Sequence, residues 1–532
     1  MAAEPDAIAL EILWNRLIAI VDEASAALVR TSFSTIVRES NDFACVLMDA
    51  EGRSLAQSSL SIPSFIGTLP VTVRHFLRAF PAASLSPGDV LVTNDPWMGT
   101  GHLNDINVAV PVFHRGRLVA IAASTAHAPD IGGRIRSPDN REVFEEGLRI
   151  PPVRLFEAGR LNSLVMEFIR HNVRVPDQVE GDLMAQVAAD ELAGRRLLEL
   201  LEEYGVDDLR PLARAIQERS EEATRSGIRG VRPGVYPCLL PVDGLGEELQ
   251  ISLALTVGHD PEGILCDYAG TSPQQPDALN VVPNYTYAYT AFALKCVFAP
   301  DVPNNDGCFR LFEVTAPEGS LLHPRFPAAV GARASIGHYL PVAVFGALAP
   351  AIPHRVRAAP GSPLWCVNLS GAWDGGRTFA GMFFFNGGLG GAEGQAGLPC
   401  VSFPSNISNT PLEVLEHLFP LEFARKEIAA GSGGRGEWPG GDGQVLECRV
   451  VNATPVTVTF LASRISRPAE GLFGGEAGAP GGVLLNGQPI NPRTRRHLQP
   501  GDRLTLTTPG GGGYGARRGA VGSDERERGD RW

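Results

Sequence analysis

The segment INVAVPVFHRGRLVAIAAST, from Ile106 to Thr125, consists of two apolar runs on either side of a short basic turn. Gly116 stands at the second central position of a two-residue turn, Arg115–Gly116, where a hairpin needs positive φ. The two runs are therefore predicted to pair as an antiparallel hairpin of buried strands. The first part of the chain is expected to be built from hairpins of this kind and the helices between them.

Polar side chains gather at the open end of this hairpin. Counted outward from the turn, Asn104 falls opposite His127, and His102 and Asp105 flank Asn104. Residues three apart face opposite sides of a straight strand, but glycines within 99–101 allow the chain to turn first. Two imidazoles and a carboxylate suit a divalent ion such as Mn²⁺, Zn²⁺ or Fe²⁺, with Asn104 supporting them. The alternative is a polar loop that caps backbone groups, with Asp105 in an Asx turn.

Helical and strand patterns alternate along the remainder of the chain. Helices are predicted from Pro5 to Thr35, across most of Leu161 to Arg225, from Asn284 to Phe298 and from Ala334 to Ile352. Strands are predicted in DFACVLMDAEGRSLAQ, from Gly234 to Asp267, and in a Gly-rich stretch after Gly361. The sum predicts an α+β, multi-domain mixed fold with an N-terminal hairpin-built metal site, a central helical segment and a β-rich C-terminal part.

A chain of 532 residues is expected to form about two to four domains. The predicted divisions are an α+β region with the metal site at 1–160, a helical segment at 161–230, an α+β domain at 231–360, a Gly-rich, β-rich region at 361–515, and a charged, disordered tail at 516–532.

Composition excludes several classes of partner. The net charge of −13 argues against a nucleic-acid groove, which carries a basic excess. No apolar stretch reaches the roughly 18 residues of a membrane helix, and the acidic N-terminal segment predicts an amphipathic helix instead of an export signal. The eight cysteines are scattered without a CxxC pair, which is typical of reduced, buried thiols. A cytoplasmic protein is expected, with no membrane and no nucleic acid as partner.

Lysine is almost absent, and this limits the possible chemistry. The chain has only Lys295 and Lys426, while arginine is abundant. It contains neither a G-x-x-x-x-G-K-[ST] phosphate loop nor a G-x-S-x-G nucleophile motif. No cofactor-binding residues are therefore predicted on this chain, and any ATP is expected to bind to another chain.

Several segments together resemble one family. They are TNDPWMGTGHLNDINVAVPVFHRGRLVAIAAS with the following HAPDIGG, and RESNDFACVLMDAEGRSLAQ, PDVPNNDGCFRLFEVTAPEGSLLHPR, SFPSNISNTPLEVLE, GSGGRGEWPGGDGQ and PGDRLTLTTPGGGGYG. These segments are similar to the family of hydantoinase B, the B-type component of 5-oxoprolinase and the α subunit of acetone carboxylase. The resemblance extends from about residue 5 to residue 515.

The resemblance implies that histidine and aspartate side chains hold one divalent metal ion. His102, Asp105 and His127 fall on the matching motif positions. Asp42, in NDFAC, matches an upstream aspartate that completes the site. Glu39 matches an acidic position three residues earlier and is expected to support these ligands.

Two positions depart from the family pattern. The family often has paired histidines in HHADIGG, whereas Ala128 and Pro129 follow the histidine in this chain. It also often has histidine in a PxHxG segment, whereas this chain has PSFIG, with Ser64 and Phe65. These positions are expected to face the substrate, so the departures bear on the substrate class and not on the metal.

The resemblance also implies a partner and a reaction. Members of the family work with an A-type subunit that binds ATP and Mg²⁺, and a heterotetramer or larger assembly is expected. The partner phosphorylates the carbonyl oxygen of a cyclic amide, and a water activated at the metal then attacks the carbonyl carbon. The chain is thus expected to be the B-type subunit of an ATP-dependent hydantoinase, 5-oxoprolinase or lactamase.

Two aspartates are candidates for the general base of this reaction. Asp95 and Asp130 both lie close in the chain to the predicted ligands. The alternative for each is a carboxylate that stabilises a turn.

Two other functions compete with hydrolysis. One alternative is the α subunit of an ATP-dependent ketone carboxylase of the acetone or acetophenone type, although such subunits tend to be longer than this chain. A structural subunit without metal is the non-enzymatic alternative, and the joint presence of Asp42, His102, Asp105 and His127 argues against it.

Overall fold

The computed structural model of the chain describes residues 6–244, 248–259 and 262–517. Its first seven strands are β1 (Phe43–Asp49), β2 (Ser54–Gln57), β3 (Val90–Thr93), β4 (Asp105–His114), β5 (Arg117–His127), β6 (Val153–Glu157) and β7 (Arg160–Leu161). They form one antiparallel sheet in the order β2-β1-β5-β4-β3-β6-β7. The predicted hairpin of β4 and β5 therefore lies in the middle of the sheet.

Helices cover both faces of this sheet. The first six are α1 (Ala7–Thr31), α2 (Thr35–Arg38), α3 (Thr68–Ala79), α4 (Ser163–Asn172), α5 (Pro176–Glu203) and α6 (Arg210–Arg229). On one face α5 packs between α1 and the central hairpin, with Leu17, Ala122 and Leu197 in a shared core. On the other face Phe76 of α3 packs near Ile121. Because both faces are covered, β4 and β5 are nearly continuous apolar runs without a polar alternation.

The predicted two-residue turn of the central hairpin is confirmed, but the predicted pairing of residues beyond the turn is not. Residues 115–116 have φ values of 49° and 76°, as a two-residue hairpin turn requires. Val119 is the extra residue of a β-bulge, so the pairing beyond it slips by one. Asp105 therefore pairs with His127, and the predicted pairing of Asn104 with His127 is wrong by one residue.

A second, four-stranded sheet follows the helical segment. Its strands are β8 (Gly234–Asp243), β9 (Glu248–His259), β10 (Gly263–Asp267) and β11 (Phe312–Thr315), in the order β11-β10-β9-β8. The accompanying helices are α7 (Pro283–Phe298), α8 (Asp306–Phe309), α9 (Ala334–Gly337) and α10 (Leu340–Leu348). The aromatic helix is buried as predicted, whereas the helix predicted from Ala334 to Ile352 is divided in two, with Pro341 in the first turn of α10.

The C-terminal part is rich in β-structure. Its strands are β12 (Trp365–Ala372), β13 (Thr378–Phe385), β14 (Leu421–Ile428), β15 (Gln444–Val450), β16 (Val456–Leu461), β17 (Gly482–Leu485), β18 (Gln488–Pro489), β19 (Arg496–Leu498) and β20 (Arg503–Thr507), with α11 at Leu412–Leu418. They form two sheets, in the orders β13-β12-β16-β19 and β14-β15-β20-β17-β18. These sheets share one apolar core.

Extended glycine segments beside these sheets pack directly on one another. Backbone N–H groups of Gly391 and Gly434 donate to Gly512 and Gly511 at 2.9 and 2.8 Å. A Cβ atom on Gly388 would lie only 1.7 Å from the Gly441 carbonyl oxygen, so no side chain fits there. The glycine content predicts a flexible, backbone-exposing segment and a packing turn. The structure shows a tightly hydrogen-bonded bundle.

The whole is a mixed α+β fold, as predicted. Among the described helices, none combines the length and the apolar composition needed to cross a membrane. The predicted domain boundaries remain predictions, and the core shared by α5 and the first sheet spans the boundary drawn at residue 160. Of the tail predicted at 516–532, residues 518–532 lie outside the described ranges.

Candidate metal centre

Three neighbouring strands bring three of the predicted ligands into one row. Asp105 is the first residue of β4 and pairs with His127, the last residue of β5. Asp42 immediately precedes β1, and its carbonyl oxygen accepts a 3.0 Å hydrogen bond from the His127 N–H. The ends of β1, β5 and β4 thus hold Asp42, His127 and Asp105 side by side.

His102 reaches the same point from the loop that precedes β4. Gly101 has φ of 99°, and a Cβ atom there would lie 2.9 Å from Arg333 Cδ, so the loop needs glycine at this position. Asn94 anchors the loop, because its Nδ2 donates to the Leu103 carbonyl at 2.7 Å. This is the turn predicted to point His102 and Asp105 in one direction.

The donor atoms of these side chains converge. One ligand atom from each of His102, Asp105 and His127 lies within 4.8 Å of the others. His102 Nε2 is 2.6 Å from Asp105 Oδ1, and His127 Nδ1 is 3.1 Å from the same oxygen. His127 Nδ1 is also 3.6 Å from Asp42 Oδ2, which places a second carboxylate beside the cluster.

Several polar atoms of these three side chains lack a hydrogen-bond partner although they are buried. His102 and His127 are each 2% exposed and Asp105 is 1% exposed. Nδ1 of His102 and Nε2 of His127 have no hydrogen-bond partner, and the 2.6 Å approach of His102 Nε2 to Asp105 Oδ1 lacks hydrogen-bond alignment. Buried polar atoms are rarely left in this state, so a ligand shared by these atoms is indicated. Two imidazoles with one or two carboxylates are a donor set that fits a divalent metal ion.

The second oxygen of Asp105 is fully occupied. Asp105 Oδ2 accepts from Arg333 Nη2 at 2.8 Å and from the Thr100 hydroxyl. Arg333 also donates from Nε to the Thr100 carbonyl at 2.8 Å, and its guanidinium lies 4.2 Å from the centre of the Tyr285 ring. Asp105 is thereby fixed with only Oδ1 available to the cluster.

The electrostatics favour the protonation states that metal ligands need. Burial lowers the pKa of His102 well below its usual range, and Arg333 adds to the effect. Burial opposes ionisation of Asp105, but His102 and Arg333 outweigh it, and its pKa lies well below the usual range. Burial raises the pKa of Asp42 to about 6, although the charge of His127 acts in the opposite direction. Near neutral pH the cluster therefore offers a neutral imidazole at His102 and ionised carboxylates at Asp42 and Asp105.

A small cavity of about 30 Å³ adjoins the cluster. Ser64, one of the two PSFIG positions that depart from the family pattern, lines it, together with apolar walls such as Leu364 and Phe384. A much larger cleft of about 750 Å³ borders the same Ile62 side chain. The cavity has room for about one water-sized ligand, so a ring-shaped substrate enters only if part of the wall moves.

The two predicted general bases, Asp95 and Asp130, lie outside the ligand cluster, and each forms an ion pair with an arginine. Asp95 Oδ2 is 2.7 Å from Arg149 Nε, and Asp95 Oδ1 accepts from a backbone N–H in its own turn. Asp130 Oδ1 is 2.6 Å from Arg174 Nη1. Neither carboxylate is among the described residues that line the cavity beside the candidate ligands. Their contacts are those of carboxylates that stabilise turns.

The two predicted supporting residues are also outside the cavity wall. Glu39 lies 3.3 Å from Arg38 Nε and is partly exposed. Asn104 donates to the Ala128 carbonyl at 3.4 Å and lines a neighbouring cavity with Asp130. Asn104 thus holds the two strand ends together one residue away from the ligands.

Sequence reasoning missed several residues of the site. Arg333, Arg136 and His338 all line the cavity. Burial lowers the pKa of His338 to about 3, so its imidazole is neutral; Nδ1 accepts from the Leu364 N–H and Nε2 lies 3.3 Å from the Tyr285 hydroxyl. These residues follow no ligand spacing, and only the folded chain brings them to the strand ends.

A family model described as hydantoinase B/oxoprolinase matches residues 6–517 of the chain. A protein of Pseudomonas sp. strain NS671, provisionally named as the B-type subunit of a D-/L-hydantoinase, is 29% identical over 96% of this chain and 90% of its own length. The Arabidopsis thaliana protein 5-oxoprolinase 1 is 30% identical over 96% of this chain, which corresponds to 42% of the plant protein.

Two solved structures share the fold. The ATP-dependent caprolactamase from Pseudomonas jessenii superposes with a TM-score of 0.89 at 27% identity, over 97% of this chain and 92% of the other. A nucleotide-free acetone carboxylase structure superposes with a TM-score of 0.85 at 19% identity, over 96% of this chain and 76% of the other. The second likeness is one of fold.

Proposed function

Because the chain belongs to the hydantoinase B/oxoprolinase family, we propose that it is the metal-binding B-type subunit of an ATP-dependent cyclic-amide hydrolase. One observation carries the proposal: buried ligand atoms of two histidines and an aspartate converge beside a second aspartate, and several polar atoms of these side chains have no hydrogen-bond partner. The cluster is built from the segments by which the chain resembles this family. The proposed substrates are hydantoins, 5-oxoproline and lactams.

The residues of this chain have separable roles in the proposed reaction. A divalent metal, when bound, supplies a Lewis acid that lowers the pKa of a coordinated water. His102, His127 and Asp105 would hold the ion, and Asp42 would complete the set. Arg333 and Thr100 keep Asp105 oriented. The apolar wall excludes bulk water, so an activated carbonyl group is shielded from unproductive hydrolysis.

An ATP-binding A-type subunit is the proposed partner, in a heterotetramer or larger assembly. The relative from Pseudomonas sp. carries the name of one component of a multi-subunit enzyme, and the plant relative is more than twice as long as the segment it shares with this chain. Hydrolysis of a lactam is slow because its carbonyl is a poor electrophile. Phosphorylation by a partner would create the better electrophile that the metal site then hydrolyses.

Reconstitution with a co-expressed A-type subunit tests the proposal. ATP consumption and ring opening are measured with 5-oxoproline, hydantoin and caprolactam, and then with acetone plus bicarbonate. We expect ATP use coupled to ring opening of at least one cyclic amide, and its loss in a His102→Ala variant. Carboxylation of the ketone without any lactam hydrolysis would instead identify the ketone carboxylase that the sequence offers as the alternative.

A further inference from the structure

Arg136 is a cation of the metal cavity without an anionic partner. Its Nε donates to the Gly331 carbonyl at 2.8 Å, and its Nη1 contacts only the Met382 sulfur, at 3.8 Å. No carboxylate oxygen lies within ion-pair distance of it in the described part of the chain. Arg134, two residues away, differs in this respect, because its Nη1 is 2.8 Å from Glu145. The Arg136 guanidinium therefore has donors to spare.

The Arg136 side chain is half-buried beside apolar groups of the cavity. Leu364, Phe384 and Leu461 line the same cavity as Arg136. A thioether sulfur is a weak acceptor and does not replace a carboxylate. An ionised group held among apolar side chains requires a compensating charge or hydrogen bonds. The charge of Arg136 acts on Asp42 and Glu146 from a distance, and no carboxylate of the described residues contacts its guanidinium directly.

The balance of charge leads to the same conclusion. Among the described residues that line the cavity, two are acidic, Asp42 and Asp105, and two are basic, Arg136 and Arg333. The four side chains balance one another only as long as no metal is bound. A divalent ion on the histidines and aspartates adds two positive charges that no lining side chain offsets. An anionic ligand would supply the missing negative charge.

We propose that Arg136 binds an anionic oxygen group of the ligand, a carboxylate or a phosphoryl group, opposite the metal. The proposal rests on the proposed function. If the group is a carboxylate, the substrates are cyclic amides that carry one. If it is a phosphoryl group, Arg136 binds the phosphorylated form that the partner delivers. A guanidinium suits both groups, because its parallel N–H donors match two oxygens at once.

The backbone that holds Arg136 is itself fixed. The Gly331 carbonyl accepts from Arg136, while the Gly331 N–H donates to Glu146 Oε1 at 2.7 Å. The Val330 N–H donates to the same oxygen at 2.9 Å. A Cβ atom on Gly331 would lie 3.0 Å from Glu146 Oε1, so the segment stays close to Glu146. Arg136 is thus preorganised for a ligand, because ordering its side chain costs little on binding.

The test measures binding by titration calorimetry on the full chain supplied with Mn²⁺. The probes are 5-oxoproline, 2-pyrrolidinone, which is the same ring without the carboxylate, and inorganic phosphate. Arg136→Gln is expected to weaken binding of one or both anions by roughly 10- to 100-fold, and to leave 2-pyrrolidinone unchanged. The affinity of Arg136→Lys for the anions should lie between those of the unaltered chain and Arg136→Gln. The exposed Arg141→Gln variant, in the same segment, should bind them as the unaltered chain does. Circular dichroism and thermal unfolding confirm that each variant is folded.

The outcomes separate the two sources of the anion and the two proposals. A loss confined to 5-oxoproline assigns Arg136 to a substrate carboxylate, and a loss confined to phosphate assigns it to the phosphoryl group. Equal affinities of the unaltered chain and Arg136→Gln for both anions would overturn the inference. If neutral lactams are still hydrolysed in the reconstituted complex, the hydrolase proposal survives that result. If no cyclic amide is hydrolysed, the hydrolase proposal fails by itself.

Discussion

At the scale of single residues, Asp105 is the side chain on which the candidate site depends. One of its oxygens is bound by Arg333 and Thr100, and the other faces His102 and His127 without a hydrogen bond. A carboxylate divided in this way is held rigidly by one oxygen and offers the other as a ligand. Outer partners of this kind commonly tune the affinity of metal sites.

Loss of a ligand should abolish metal binding. We expect His102→Ala and Asp105→Asn to lower the affinity for Mn²⁺ or Zn²⁺ by more than about 100-fold, because outer partners alone are worth about 10- to 100-fold. Elemental analysis should then show about one ion per chain in the unaltered protein and only a trace in the two variants. His171→Ala is the matched control, since His171 is 80% exposed and its Nε2 lies 3.2 Å from Glu167 Oε2, away from the candidate ligands. Full metal content in both site variants would refute the assignment.

Metal affinity should also depend on pH through Asp42. Its pKa in the metal-free chain is about 6, so below that value a proton must leave before the carboxylate binds the ion. We expect the apparent affinity to fall by up to about tenfold for each pH unit below 6 and to be nearly flat above pH 7. Calorimetric titrations between pH 5 and pH 8 measure this. An Asp42→Asn variant should bind more weakly throughout and without this proton release.

Glu146 should make the folded chain less stable as the pH rises. Burial raises its pKa from 4.5 to about 7, so the folded state holds the proton more tightly than the unfolded state does. Its contribution to the free energy of unfolding is therefore largest below pH 4.5 and is lost as the pH rises through 7. We compare the free energy of unfolding of Glu146→Gln with that of the unaltered chain. We expect this difference to shift in favour of the variant by on the order of 3 kcal/mol between pH 5 and pH 8. Chemical denaturation at both pH values tests this, with the exposed Glu142→Gln as control.

At the scale of elements, the central hairpin shows what the sequence predicts and what it does not. Its strands and its Arg115–Gly116 turn follow from local rules of periodicity and positive φ. The bulge at Val119 does not, because valine is equally suited to a regular strand. That bulge decides which residue faces His127, and so the predicted neighbours are correct while the pairing is shifted by one residue.

The remainder of the site depends on contacts between distant segments. Arg333 binds Asp105 across 228 residues of sequence, and no periodic pattern marks such a contact. Asp42 is found only through the resemblance to a family, since a lone aspartate before a strand has many structural roles. Local chemistry thus predicts His102, Asp105 and His127, whereas the residues that orient and neutralise them require the folded chain.

The glycine bundle should tolerate no side chain at its closest contacts. In Gly388→Ala the new Cβ atom would overlap the Gly441 carbonyl oxygen, and neither backbone segment is free to move. We expect a loss of about 3 kcal/mol or more in the free energy of unfolding. Gly375→Ala is the control, because a Cβ atom there meets nothing within 4 Å. Equal denaturation midpoints for the two variants would show that the bundle adapts more freely than its contacts indicate.

At the scale of the whole molecule, the candidate site lies where separate parts of the chain meet. The ligands belong to the first sheet, Tyr285 and Arg333 come from the region of α7 and α9, and Leu461 ends β16 of the C-terminal part. All of these line one cavity. A substitution that weakens the packing between the first sheet, the region of α7 and α9, and the C-terminal part should therefore expose the cavity to solvent, although every candidate ligand is still present.

The division of labour between two chains has a direct biochemical test. The isolated chain is expected to show no ATP turnover above the blank, because it has no phosphate loop and only two lysines. Addition of the A-type subunit should produce ATP turnover that depends on the cyclic amide. Sustained turnover by the chain alone, after removal of contaminating ATPases, would contradict the proposed arrangement.

The positions of the ligands along the chain bear on how the protein is made. All four candidate ligands lie within the first 127 residues, while Arg333 and the wall from Leu364 to Leu461 come much later. During translation the ligands leave the ribosome long before the segments that enclose them. Under the proposed function, an ion bound before those segments fold would be enclosed by them and would then exchange slowly. The supply of metal during synthesis would then help to decide, together with affinity at equilibrium, which ion the candidate site holds.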